Sequence, residues 1–352
     1  MKVARLHAVG DLRTAEEPRP VPAAGTSLVR VTAIGICGSD LHWWEEGGIG
    51  DSVLDQPLVL GHEAAGVIAD GPRQGERVAI DPAIPCGTCE SCLRGYRNLC
   101  TRIAFAGHGN QDGAMREFLT WPSHLLPPLP DTISDAAGAI LEPLGVAIHA
   151  SDLGHLHLGG SAAVVGCGPI GLLLIQVLHA AGAASITAFE PLAHRRAAAV
   201  RAGAGVVLDP AALDPAGLSS AADLRDLVGD GVDVAFEVAG TDAGVQLAMD
   251  TARAGGRVVL GGIPGDDWTR FRASSARRKG LTIAMVRRMN EVYPRAIGLA
   301  ASGRVDLDAL VSDRIPLTAA DRAFSLAARR DGLKVIVTPG AAAESAGPPG
   351  AG

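Results

Sequence analysis

Residues 161–190 read SAAVVGCGPIGLLLIQVLHAAGAASITAFE, and the fold turns on this stretch. Residues 161–165 form a short apolar run, the pattern of a strand buried on both faces of a parallel sheet. The run leads into Gly166, Cys167, Gly168, Pro169, Ile170 and Gly171, and then into a helical pattern expected over residues 172–182. A second strand, residues 185–190, ends in an acid nineteen residues beyond Gly171. Alone, Gly-x-Gly-x-x-Gly is a weak signal. Following a strand, opening a helix and trailed by a strand-terminal acid, it marks a dinucleotide site. The glycines let the backbone approach a pyrophosphate at the helix N-terminus, and Glu190 is placed to accept from the adenosine ribose hydroxyls. A carboxylate there repels the roughly two negative charges of a 2′-phosphate, and Pro191 offers no donor, so NAD is expected over NADP. Arg195 and Arg196, a turn or more into the next helix, are the only nearby cations a cofactor phosphate could use. Their expected place is the solvated face of that helix.

Outward from this unit the βα rhythm continues, with strands expected at residues 205–208, 232–237, 257–260 and 281–285 and helices between them. The result is a doubly wound parallel sheet. Alternation stops near Arg287; residues 293–301 read as a helix and 333–337 as a last strand returning to an earlier domain. That earlier domain is built of short strands at 2–6, 27–32, 64–69 and 77–80, punctuated by Gly and Pro in the manner of a β-barrel. Residues 131–154 turn helical, and Glu142 reads there as a first-turn carboxylate with Pro143 at the first helical position. The expected division is 1–150, 151–286 and 287–340, with a low-complexity, disordered tail at 341–352.

The chain has 352 residues and a formal net charge of -7, which argues against nucleic acid as a partner. Its longest apolar run, residues 170–178, is too short and too interrupted to span a membrane, and the N-terminus has no signal-peptide pattern, so a soluble cytoplasmic protein is expected. Of six cysteines, Cys86, Cys89, Cys92 and Cys100 are separated by two, two and seven residues. Four thiolates this close can enclose one tetrahedral metal. A second cluster lies in residues 35–66, GICGSDLHWWEEGGIGDSVLDQPLVLGHEAAG, which hold Cys37, Ser39, His42, His62 and Glu63. Thiolate, imidazole and carboxylate together suit zinc.

Cys37-Gly-Ser-Asp-Leu-His42 followed by Gly61-His62-Glu63 resembles the zinc-dependent medium-chain dehydrogenase/reductase family. The His-Trp-Trp-Glu and Leu-Gly-His-Glu segments are most similar to its sorbitol (polyol)/L-idonate branch, and the later motifs extend the likeness over most of residues 1–340. The resemblance implies a GroES-like catalytic domain plus a Rossmann domain. It implies a structural zinc in the lobe at residues 86–100, held by its four cysteines, and a separate catalytic zinc. With those four committed and Cys167 in the glycine turn, Cys37 is the thiolate left for the second metal. His62 and an oxygen of Glu63 or Glu142 would complete that site, the choice between the two acids staying open. Ser39 and His42 would relay the proton. Trp43 would neighbour the substrate, and Arg288 would contact it, with Arg287 leaving the register open by one. The implied reaction moves a hydride between NAD and a secondary hydroxyl of a small-molecule polyol, sugar acid or cyclitol. A homodimer or homotetramer, joined through an apolar sheet edge at residues 258–263, is also implied. The alternatives are an L-threonine- or butanediol-type dehydrogenase, or a non-catalytic zinc- or dinucleotide-binding protein.

Overall fold

Two sheets organise the chain, and one long helix lies against both. The structure, a computed structural model, describes residues 1–212 and 228–340. The helix expected between the strands near residues 208 and 232, and the tail 341–352, lie outside the described residues.

In the second half, six strands pair in the order Val206–Leu208, Ser185–Phe189, Ser161–Val165, Val232–Glu237, Ala252–Leu260, Thr282–Met285, every pairing parallel. The strand order reverses at Ser161–Val165, so the crevice beyond its carboxyl end is the topological switch point where such sheets bind ligands. Ala162 and Val164 enter one hydrophobic core while Ala163 and Val165 enter another. Two buried faces are the reason this strand carries no polar alternation. The next helix starts earlier than expected, spanning Pro169–Ala180, because Gly168 serves as its N-cap and Pro169 fits the first turn.

The expected sheet edge needs correction. Val258–Leu260 are buried and paired on both sides, to Val232–Glu237 and to Thr282–Met285. The open edge is Thr282–Met285, where Ile283 and Met285 are exposed. The sequence pattern conflated an apolar strand with an edge strand, although central strands are the more apolar kind.

In the first half, strands pair in the order Val311–Pro316, Lys334–Thr338, Thr26–Gly35, Glu63–Ile68, Arg77–Ile80, and Phe118–Pro122 also pairs with Thr26–Gly35. The last strand does return to this sheet, antiparallel to Thr26–Gly35, with Ile336 opposite Gly35. The strands Phe118–Pro122 and Val311–Pro316 were not expected; each is short and carries polar residues and a terminal Pro.

The helix Asp135–Gly154 overturns the reading of Glu142. Its N-cap is Ser134, whose Oγ accepts from the Ala137 amide at 3.0 Å, and Pro143 lies inside it. Glu142 is therefore buried mid-helix, remote from the positive end of the dipole. A proline in a helix interior ordinarily costs about 3 kcal/mol. Here the helix is apolar on most of its surface and is packed into the core between the two sheets, so tertiary burial outweighs the local break. Among the described residues, no helix is long and apolar enough to cross a membrane.

Candidate metal and dinucleotide site

Cys37 caps the helix Gly38–Glu46, directly after the strand Thr26–Gly35. His62 and Glu63 arrive at the start of the neighbouring strand, where Glu63 pairs with Gly35. This register brings one ligand atom each from Cys37, His62 and Glu63 within 4.8 Å of one another. Gly35 is required here, since a Cβ on it would lie 2.1 Å from Glu63 Oε2.

Two supporting residues escaped the sequence reading. Asp40, 1% exposed, sits in the first turn of the helix Gly38–Glu46. Its Oδ2 accepts from the Cys37 amide at 3.0 Å, and its Oδ1 from the Gly61 amide at 3.1 Å. Oδ1 also lies 3.4 Å from His62 Nδ1. Burial acts to raise the Asp40 carboxyl, but His62 and the two amides outweigh it and hold it below the usual range. A carboxylate on the far ring nitrogen orients a metal-binding imidazole and raises its basicity. The local signal was available: an acid three residues after Cys37 in a helix's first turn. Lys334 is the second, 2% exposed, with Nζ 2.8 Å from Glu63 Oε1, 2.6 Å from Oε2 and 2.9 Å from the Ile36 carbonyl. Nothing local announces it, because Glu63 is 271 residues away in sequence. A buried carboxylate beside a thiol and an oriented imidazole is a donor set that fits a zinc ion.

Glu142 lies outside that cluster but feels it. Burial, with Glu63 adding and His62 opposing, pushes its carboxyl up to about 7. Ser39 Oγ is 3.5 Å from His62 Nε2, while His42, on the outer side of the same helix, has Nδ1 3.0 Å from Glu46 Oε2.

The four lobe cysteines also converge within 4.8 Å, with Cys89 Sγ 3.5 Å from Cys92 Sγ and 3.8 Å from Cys100 Sγ. Donors surround these sulfurs: the Cys89 amide and Arg102 Nη2 on Cys86, and the Cys86 and Arg102 amides on Cys100. The Thr88 and Cys89 amides foremost hold the Cys86 thiol down to about 5. A set of four sulfurs with thiolate-stabilising donors fits a closed zinc shell. The lobe is docked on the segment before the helix Tyr293–Ala301: Asn98 Nδ2 donates to the Arg287 carbonyl and Asn290 Nδ2 to the Gly95 carbonyl, both at 3.0 Å.

At the switch point, Gly166 has φ +95°, and a Cβ on Gly171 would stand 2.0 Å from the Gly166 carbonyl. Glu190, 4% exposed, accepts from the Cys167 amide at 2.8 Å and the Leu192 amide at 3.0 Å, one bond per oxygen. Each oxygen keeps a further lone pair for a ribose hydroxyl. The arginines are not on a solvated face. Arg196 is tied to the Glu190 and Pro191 carbonyls and to Asp209. Arg195 is half-buried beside Gly168, with an Nε that has no partner. The strand-end carbonyls and Asp209 draw Arg196 inward, while Arg195 Nη2 reaches the Gly332 carbonyl at 3.5 Å; helix periodicity alone reports neither.

Phe105 packs against His62, and His108 and Arg288 pack against Phe105. The Arg288 guanidinium sits 4.2 Å over the Phe105 ring, and the Phe105 centroid is 5.3 Å from that of His62. Arg288 holds φ 56°, unusual outside glycine, and its buried Nη1 has no hydrogen-bond partner. Burial, with Arg287 adding, pushes it down to about 10. Arg287 is exposed. Trp43 is itself 1% exposed, and its indole Nε1 donates to His108 Nδ1 at 3.2 Å. Asp112 binds Arg5 and Arg116, and Met115 is fully buried.

Residues 23–131 match the alcohol dehydrogenase GroES-like domain family, and residues 169–302 the zinc-binding dehydrogenase family. A Neosartorya fischeri protein named "Probable D-xylulose reductase A" is 37% identical over 331 residues, 91% of this chain and 92% of its own. Sorbitol dehydrogenase of Bacillus subtilis is 34% identical over 350 residues, 96% of this chain and 97% of its own. Among solved structures, L-idonate 5-dehydrogenase from Escherichia coli superposes with a TM-score of 0.86 at 27% identity, covering 96% of this chain and 97% of the other.

Proposed function

This chain belongs to the zinc-binding alcohol dehydrogenase family, and we propose that it oxidises a secondary hydroxyl of a polyol, sugar acid or cyclitol with NAD, or reduces the matching ketone. The convergence of Cys37, His62 and Glu63 on one point supports this reading most directly, together with relatives named for sorbitol, D-xylulose and L-idonate. Cys37, His62 and Glu63 would hold a zinc that supplies Lewis acidity toward the substrate hydroxyl, and the glycine turn would hold a nicotinamide cofactor that supplies the hydride acceptor.

The residues themselves divide the remaining work. Glu63, the acid inside the cluster, is the direct ligand, and Glu142 is the second carboxylate beside it. Ser39, at 3.5 Å from His62 Nε2, takes the hydroxyl proton. His42 passes it outward, with Glu46 at 3.0 Å on its Nδ1. Arg288 gives the substrate a donor from the Phe105 side. Cys86, Cys89, Cys92 and Cys100 hold a structural zinc. Gly166, Gly168, Pro169, Ile170 and Gly171 seat the pyrophosphate, and Glu190 the ribose; Arg195, with its orphaned Nε, reaches the cofactor's phosphate side.

The catalytic domain comprises residues 1–150 and 287–340, the cofactor domain residues 151–286, and the protein works in the cytoplasm. Two chains join along the open strand Thr282–Met285, where Ile283 and Met285 are exposed. A monomer by light scattering at micromolar concentration would refute that contact. For the reaction, zinc-loaded protein is screened against polyols, aldonates and cyclitols by NADH absorbance. Turnover confined to L-threonine or butanediol would overturn the substrate class.

A further inference from the structure

Trp43 Nε1 lies 3.2 Å from His108 Nδ1, with the rings edge-on at 89°. An indole nitrogen only donates, so His108 Nδ1 must accept. An accepting Nδ1 means a neutral ring, since both nitrogens of an imidazolium donate; burial first, then Arg288, also act to push its pKa down to about 4. A neutral imidazole has one N–H, and with Nδ1 accepting, that hydrogen is on Nε2. No residue among those described accepts from Nε2, and it is not one of the sealed, unpaired atoms. His108 is therefore a fixed donor facing open space.

Its position relative to the metal cluster is also fixed. Phe105 meets His62 with centroids 5.3 Å apart and His108 edge-on at 6.4 Å. The turn carrying His108 is closed by its amide to the Phe105 carbonyl at 3.1 Å and by the Gln111 amide to its own carbonyl at 3.2 Å. Gly107, at φ +70°, presses on the residue before His62: a Cβ there would stand 2.8 Å from the Gly61 nitrogen. A turn clamped to the His62 backbone cannot drift without moving the cluster.

We propose that His108 is a substrate-positioning residue, its Nε2–H donating to a substrate oxygen other than the one being oxidised. The proposal rests on the polyhydroxy substrate reading and gives that reading a recognition element. A simple secondary alcohol has no second oxygen to offer, so His108 sharpens preference for substrates that do.

The test pairs kinetics with a spectroscopic readout. In His108→Phe the donor is lost. In His108→Gln an amide N–H stands near where Nε2–H stood. Sorbitol and 2-butanol are compared as substrates. His108→Phe should lower the sorbitol-to-2-butanol ratio of kcat/KM about 5- to 10-fold, the loss of one hydrogen bond, chiefly through the sorbitol KM. His108→Gln should restore much of the ratio. Nitrogen-15 NMR of the wild-type imidazole should show the Nε2–H tautomer at neutral pH. A Nδ1–H tautomer, an imidazolium, or an unchanged ratio in His108→Phe would overturn the proposal alone. A wild type that oxidises no polyhydroxy substrate overturns the substrate reading and the proposal with it, while the NMR result would still report the tautomer.

Discussion

Replacing Lys334 with Met should expose how much the cluster depends on one buried cation. The ammonium is 2.6 Å from Glu63 Oε2 and 2% exposed on its side chain. At an effective dielectric of about 20, that separation corresponds to a Coulomb attraction of ~6 kcal/mol. Desolvation of both ions offsets part of it, and removing one partner of such a pair typically costs about 3–5 kcal/mol, because the other charge stays buried and uncompensated. The Ile36 carbonyl also loses its 2.9 Å donor, worth about 1 kcal/mol. Urea denaturation is the assay, run on protein from which a mild chelator has removed the labile metal, so that no other cation replaces the ammonium. The Glu63→Gln/Lys334→Met double variant should cost less than the sum of the single ones, with a coupling of about 2 kcal/mol or more. Burial acts to lower the Lys334 pKa, but Glu63 and Cys37 overcome it and hold it above 10.5. A raised cation contributes fully below its unfolded value, so the loss should be flat across neutral pH. A Lys334→Met cost below about 1 kcal/mol, or strict additivity in the double variant, would refute the reasoning.

Metal analysis should find two zinc ions per chain, one lost to chelators first because its shell is open, and Cys89→Ser should lose only the other while destabilising the fold; a single site that vanishes in Cys89→Ser contradicts this. Replacing Glu190 with Ser should narrow the preference for NAD by admitting NADP, since Arg195 Nε is unpaired nearby, and equal use of both by the wild type would show the Glu190 argument wrong. His42→Ala should slow turnover most at mildly acidic pH with zinc content unchanged, and an unaltered pH–rate profile removes His42 from the relay. Asp233, held down to about 2 by the Ser161 amide first, then Arg253 and the Ser161 hydroxyl, contributes stability that is present above about 3.8 and lost as pH falls through its folded value. Asp233→Asn should therefore lower stability at neutral pH and narrow its gap from the wild type on acidification; a constant gap from pH 6 to 2 would count against it.

What the sequence determined by itself was local. The strand–turn–helix around Gly166–Gly171 and the cysteine spacing of the lobe close within a few residues, so the chemistry of each can be read from composition and spacing alone. Cys37, His62 and Glu63 were legible as a ligand set that suits zinc, and the likeness to known dehydrogenases gave that set a catalytic role. Tertiary structure decided the rest. Two sheet registers, Gly35 opposite Glu63 and Ile336 opposite Gly35, bring Lys334 onto Glu63 across 271 residues. A buried helix continues through Pro143 and carries Glu142 inward, against the local signal of a helix start. Trp43 binds His108 across 65 residues, a pairing that no local pattern announces. In each case a strand register, helix packing or a clamped turn sets the distance, and those depend on which surfaces the whole chain must bury together.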